Sequence, residues 1–442
     1  MSAQAPRGTH ALRGRILTYH ADPAIGGEGA HWFIKDGLVV IEDGLIAHVG
    51  ETADLRRAGI DAPETDHRPH LLVPGFVDPH LHMPQTRVVG SHGATLMDWL
   101  HRYTFPEEAR HADPAVSERA ARFVLGECLA NGTTSGAFFC TSHPHSADAL
   151  LAEAERRSMR TIAGKVMMDR EAPAALTDTP ERAHDETRAL IERWQGRSRG
   201  EVAITPRFAV TSTEAQLEVA GALAAGFPAA PIQTHLSEND REIAFVADAF
   251  PWAEDYTAVY ERYGLVRPRA LFGHGIHLSP REMAALGRGG ASVVHCPTSN
   301  LFLGSGLFDW RSVRGAGARV GVATDIGGGT SYSMLATALS AYKVAALRGH
   351  VLDPHDLLHA ITRGNSHAMG LGDTIGRLAT GYEADVAVLD GAATPALRRR
   401  MAAAQTLEEE LFALITLGDD RAVAATYAGG RLAHGRDDLK VE

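Results

Sequence analysis

Residues 71–85 read LLVPGFVDPHLHMPQ, an apolar run interrupted at Pro74-Gly75 that ends in two histidines at i and i+2. A short, nearly unbroken apolar run bounded by Gly and Pro is the pattern of a strand buried on both faces, as strands of a parallel sheet are. Working outward, LLVPGFVD (71–78) is the first of eight such runs. The others are TTSGAFFC (133–140), RTIAGKVMMD (160–169), VAITPRFAVT (202–211), PIQTHLSE (231–238), RALFGHGIHL (269–278), ASVVHCPTS (291–299) and ARVGVATDIG (318–327). Helix-like segments separate several of them. The clearest begins at Asp113-Pro114, a cap followed by a first-turn proline. It sets Ala121, Val124, Leu125, Cys128 and Leu129 at i, i+3, i+4, i+7 and i+8 before Asn131-Gly132 ends it. Strands alternating with helices predict an α/β fold with a parallel sheet, and eight of them predict a closed (β/α)8 TIM-like barrel over residues 71–375.

The flanks read differently. GLVVIEDGLIAHVG (37–50) holds a hairpin signal at Asp43-Gly44, and EADVAVLD (383–390) and AATYAGGRLAHG (424–435) repeat the style. Residues 1–70 and 376–442 are therefore expected to combine into one small β-sandwich beside the barrel. Composition fits a globular protein, with 45% hydrophobic and 22% charged residues. The net charge of −11 repels phosphate backbones and anionic lipid, so neither nucleic acid nor membrane is an expected partner. The first twenty residues carry no apolar signal core, and no 18-residue apolar stretch follows, which predicts a cytoplasmic protein. Cys128, Cys140 and Cys296 lack CxxC spacing and read as inert buried thiols.

The chemistry gathers at predicted C-terminal strand ends, where barrel enzymes keep their active sites. His80 and His82, two apart on a strand, point to the same side. An isolated pair of this kind is more often two partly solvated histidines. Here, however, His235 ends the fifth run, His274 the sixth and Asp325 the eighth, and scattered core histidines have no reason to share one rim. Imidazoles with one carboxylate and no thiolate suit Zn2+, with Fe2+ the second choice, and leave a coordination position for water. Glu238, three residues after His235, is placed to move protons of that water; alone it would read as a surface residue opening a helix. Asp325 alone would read as a helix cap.

PGFVDPHLHMPQ (74–85), MDWLHRYTFPEEAR (97–110), GKVMMDR (164–170), ITPRFAVTS (204–212), QTHLSEND (233–240), FGHGIHLS (272–279), HCPTSNLFLGSGLF (295–308) and GVATDIGGGTSYSML (321–335) resemble, in order and spacing, the guanine deaminases of the amidohydrolase superfamily. The HxH, HxxE, HG and TD elements belong to the wider superfamily. PQ after HxH, the WLxxYTFPxE segment and PRF narrow the resemblance to the guanine branch. It implies one zinc per chain held by His80, His82, His235 and Asp325, with His274 polarising the attacked centre or the water, Glu238 as proton shuttle and Asp325 acting in catalysis as well. It further implies a guanine pocket of Gln85, Arg207, Phe208 and Trp99, hydrolysis to xanthine and ammonia by a zinc-activated water, and a homodimer. The same chemistry would serve an s-triazine or pterin substrate, and a silent barrel used as a scaffold is the non-enzymatic alternative. Lys165 raises a carbamylated lysine bridging two metals, but it lies on the third run rather than the fourth and is expected to be structural. TRGNSHAMGLGD (362–373) departs from the TxGGAxALG pattern of such barrels, which leaves the packing around Asn365 and His367 open, while the metal centre is not expected to depend on it.

Overall fold

The computed structural model describes residues 8–93 and 96–436; the outermost residues of both terminal segments, 1–7 and 437–442, lie outside the described residues. Each of the eight apolar runs contains strand. Phe76–His82, Thr133–Phe139, Arg160–Gly164 and Gly200–Val202 form one parallel sheet in chain order. Ile232–Leu236, Ala270–His274, Ser292–His295 and Arg319–Val322 form a second. A parallel bridge from Ile204 to Ile232 joins the two, and Asp325 N donates to His80 O at 3.0 Å, tying the last strand segment back to the first.

Val77, Ala137, Ile162, Ala203, Leu271, Val294 and Ala323, from seven of the eight runs, meet in one buried cluster. The fifth run contributes Gln233 instead, a buried amide whose Nε2 donates to Phe138 O at 2.9 Å and to Thr205 Oγ1 at 3.1 Å. Helices lie between the strands. Pro114–Ala130 starts where its cap predicts: Asp113 accepts from Ala115 N, and the buried face carries Ala121, Val124, Leu125, Cys128 and Leu129.

The chain ends do meet. Thr9–Tyr19, His31–Glu42, Leu45–Glu51 and Glu64–Pro74 join Val386–Leu389, Val423–Ala428 and Arg431–Gly435 in one seven-stranded sheet. It has its own core of Leu12, Ile16, Ile34, Val39, Ile41, Leu72, Val386 and Val388. The expected hairpin turns at Asp43-Gly44.

Two features differ from the sequence reading. The run 71–78 is divided: Leu71–Val73 pair with Val388–Ala387 and Leu389 in the terminal sheet, and the next strand starts at Phe76. The hydrophobicity on either side of Gly75 is the same because both strands are buried, so periodicity could not separate them. The C-terminal segment is also not purely β. Thr394 and Thr406 cap the helices Pro395–Met401 and Leu407–Leu417, and the second buries Leu411, Leu414 and Ile415.

Asn365 resolves the atypical 362–373 segment. Its Oδ1 accepts from Val322 N at 2.8 Å, while Nδ2 donates to Val77 O at 2.6 Å and Val322 O at 2.7 Å. One buried amide thus fastens together the two strands that lead to His80 and Asp325. The metal-side residues therefore lean on this segment more than the sequence suggested.

Candidate active site

The residues picked from the sequence converge on one buried point. His80 and His82 end the strand Phe76–His82, His235 lies in Ile232–Leu236, and His274 closes Ala270–His274. Asp325 follows Arg319–Val322. His274 and Asp325 have φ of 71° and 51°, a left-handed conformation that non-glycine residues rarely adopt and that recurs at functional sites. Gly273 is required here, because a Cβ at that position would lie 2.6 Å from the His80 ring.

Donor atoms around a tetrahedral metal with bonds of about 2.1 Å sit about 3.4 Å apart. His82 Nε2 is 3.2 Å from His235 Nε2 and 3.4 Å from Asp325 Oδ1, and His80 Nε2 is 3.5 Å from the same oxygen. His80 Nε2, which faces this point, is buried without a hydrogen-bond partner among the described residues, as a nitrogen that ligates an ion would be. A backbone carbonyl can only accept, so the 2.7 Å contact of His235 Nδ1 with Arg207 O puts the hydrogen on Nδ1 and leaves the Nε2 lone pair for a metal. These residues fit a divalent cation.

The remaining sequence-picked residues line a cleft over this cluster, among them Gln85, Trp99, Arg207, Phe208 and Glu238. Trp99 is held by a 3.1 Å bond from its Nε1 to Ser91 O, and Phe208 meets His235 edge-on.

The Amidohydrolase family pattern matches residues 71–433. The chain is 42% identical over 409 residues to the guanine deaminase of Escherichia coli K12, with 92% of each chain covered. The chain belongs to the guanine deaminases of the amidohydrolase family. Among solved structures it is similar to E. coli guanine deaminase, with a TM-score of 0.95 and 41% identity over 97% of this chain and 100% of that one. It is also similar to guanine deaminase from C. acetobutylicum with bound guanine in the active site, with a TM-score of 0.87 and 28% identity over 96% and 99% of the two chains.

In this amidohydrolase, burial pushes His82 down to about 4 and also lowers His80 and His235, which keeps all three imidazoles neutral and able to ligate. Burial opposes ionisation of Asp325, but the neighbouring imidazoles of His80 and His82 outweigh it and hold the carboxylate well below its usual range. Glu238 is pushed up to about 8 by burial and by the charge of Asp325. Cys296 Sγ lies near His80, His274 and Asp325, but burial and the Asp325 charge raise its pKa and it donates to Val294 O, so it is a thiol rather than a thiolate ligand. Lys165 pairs with Asp178 and reaches Glu186 at 3.3 Å, outside the metal-side groups.

Four residues of the site escaped the sequence reading. Asp78 accepts from Thr324 and from His80 N, bracing the HxH strand against the TD loop. Ser305 Oγ donates to Glu238 Oε1 at 3.0 Å. Asn300 Nδ2 donates to His274 Nδ1 at 2.9 Å, which leaves the imidazole hydrogen on Nε2, 3.5 Å from Glu238 Oε2 and 3.9 Å from Asp325 Oδ2. Glu108 is fully buried and meets both Gln85 and Arg207. Asp78, Glu108, Asn300 and Ser305 all fall within the motifs quoted above, but nothing in a motif says which partner each one finds.

Among the described residues, no helix is long and apolar enough to cross a membrane.

Proposed function

We propose that this chain hydrolyses guanine to xanthine and ammonia with one zinc held by His80, His82, His235 and Asp325. The observation that carries the reading is the lining of the cavity, in which the N–H donors Arg207 and Gln85 stand together with Glu238, Asp325 and the imidazoles. Guanine has groups for both: O6 and N7 accept hydrogen bonds, and C2 carries the amine to be lost. Trp99 and Phe208 supply flat apolar surface for the ring.

A zinc held by these residues would lower the pKa of a coordinated water to about 7 and so supply a nucleophile at neutral pH. Glu238 is placed to accept a proton from the attacking water and to pass it to N3. His274 presents its Nε2 hydrogen toward the charge that develops at the attacked centre. Asp325, or Glu238 a second time, takes the remaining proton from the C2 hydroxyl and passes it to the amine, so that the C2 carbonyl forms as ammonia leaves.

The bonds between the first and last strand segments and the shared inner cluster support closure of the eight parallel segments into a (β/α)8 barrel. The seven-stranded sheet with its own core supports a small sandwich built from both chain ends, with the boundary at Gly75. Family resemblance further supports a cytoplasmic homodimer. Incubation with guanine, adenine, a pterin and an s-triazine, measuring ammonia release, tests the function. Turnover of guanine alone is expected, and preferential turnover of the triazine or pterin would reassign the substrate.

A further inference from the structure

Arg207 and Gln85 lie on different strands' loops, yet one carboxylate holds both. Arg207 Nη1 donates to Glu108 Oε1 at 3.0 Å and to Oε2 at 2.7 Å, and Gln85 Nε2 donates to the same Oε1 at 2.8 Å. Glu108 sits on the short helix Phe105–Ala109 with no exposed surface. On its other side, Gln85 Oε1 accepts from Gly327 N at 3.3 Å. Gly327 has no room for a side chain, since a Cβ would lie 2.4 Å from Gln85 O.

A primary amide presents an acceptor on one side and donors on the other, and can usually turn over to suit a ligand. Here it cannot. Turning Gln85 over would set its NH2 against the Gly327 N–H and its oxygen against the Glu108 carboxylate, leaving two buried repulsive contacts in place of two hydrogen bonds. The locked amide keeps one N–H spare. Arg207 is donor-only, and its Nε and Nη2 donate to no protein atom among the described residues.

We propose that Glu108 is a specificity-determining positioning residue: by gripping Gln85 and Arg207 together it makes the part of the pocket they line a donors-only surface. That surface restricts substrates to purines with an oxo acceptor, rather than an amino group, at C6. The inference rests on the guanine reading and narrows it.

2,6-Diaminopurine isolates the effect, because it keeps the reacting amine at C2 and exchanges only the C6 oxygen for a donor. Wild-type enzyme should prefer guanine over it by about 10⁴-fold in kcat/KM, the scale at which a hydrogen-bonding site rejects an analogue that leaves its groups unpaired. In Glu108→Gln the new amide offers a single acceptor oxygen, which Arg207 takes, and turns its own NH2 toward Gln85. Gln85 is then released to turn over. Guanine kcat/KM should fall about 10²-fold, mainly through KM, while 2,6-diaminopurine changes little, so the preference narrows to about 10²-fold. Metal content should stay at the wild-type level. Should Glu108→Gln not fold, Gln85→Met leaves the Glu108–Arg207 pair intact and should narrow the same ratio by at least tenfold.

A loss that is equal for both substrates, with the ratio unchanged, would mean that Glu108 only supports the fold, and the proposal is overturned. Unchanged guanine kinetics in a folded Glu108→Gln protein overturns it as well. Absence of guanine turnover in wild type is a different result and removes the guanine reading together with the inference.

Discussion

Glu238→Gln separates proton transfer from metal binding. The substitution keeps the shape of the side chain and the oxygen that accepts from Ser305 at 3.0 Å, and it touches none of the four residues assigned to the metal. What it removes is a group able to carry a proton, and loss of a positioned general acid–base group costs typically about 10² to 10⁴ in rate. Metal-loaded Glu238→Gln should therefore contain as much zinc as wild type and turn over guanine at least about 100-fold more slowly.

The same substitution should stabilise the metal-free fold at alkaline pH. Burial pushes Glu238 up to about 8 from 4.5, so the folded chain keeps a proton that the unfolded chain releases above pH 4.5. Stability contributed by the protonated group is complete below pH 4.5 and is lost as pH rises through 8. The difference of about 3.5 pH units, at 1.36 kcal/mol each, amounts to at most about 5 kcal/mol. A glutamine does not titrate, so chelated Glu238→Gln should melt above chelated wild type at pH 8, and the gap should close toward pH 5. Calorimetry with metal analysis and ammonia release reads all of these quantities. Turnover within tenfold of wild type in the metal-loaded variant would remove Glu238 from the mechanism, and no thermal gain at pH 8 would refute the burial argument.

Chelation should abolish turnover and zinc restore it at one ion per chain, whereas His235→Ala should lose the ion itself; two tightly bound ions per active chain would overturn the single-metal reading. Arg207→Ala should lower guanine kcat/KM at least about 10²-fold without loss of zinc. It should also lower Tm, because Glu108 is left buried without its cation, a change that typically costs about 3–5 kcal/mol. Wild-type protein should ignore adenine by about 10⁴-fold or more, since adenine puts a donor where O6 would be and carries no amine at C2. Asn365→Ala strands Val322 N, Val322 O and Val77 O and should cost about 2–5 kcal/mol by chemical denaturation; a change below 1 kcal/mol would refute the fastening role. Burial pushes His111 down to about 4, so the stability of its neutral form is intact above pH 6.5 and lost as pH falls toward 4, up to about 3 kcal/mol. His111→Gln should flatten the fall in Tm between pH 6.5 and 4.

The metal-side residues were legible because their placement is local. HxH spacing sets two imidazoles on one side of a strand, and His235, His274 and Asp325 each stand where an apolar run ends, so the order of strands and helices does the rest. The helix Pro114–Ala130 was legible for the same reason, its cap, period and stop all lying within one segment. Where local hydrophobicity was ambiguous, the reading slipped: Leu71–Pro74 and Phe76–His82 are equally apolar, yet they belong to different sheets.

Partnerships across the chain were out of reach. Glu108 and Arg207 are 99 residues apart, Asp78 and Thr324 are 246, and Ser305 and Glu238 are 67. The WLxxYTFPxE motif singles out Glu108 over Glu107 but does not say where either side chain points. In the structure Glu107 pairs with Arg110, at 2.6 Å, and Glu108 with the pocket residue Arg207. On a helix, neighbouring residues point about 100° apart, so only the direction of the core can choose between the two, and that direction is set by strands far away in the sequence. The metal-side residues therefore mark the superfamily and the PQ, WLxxYTFPxE and PRF segments the guanine branch, while the contacts by which Glu108 reaches Arg207 and Gln85 become visible only once the chain has folded.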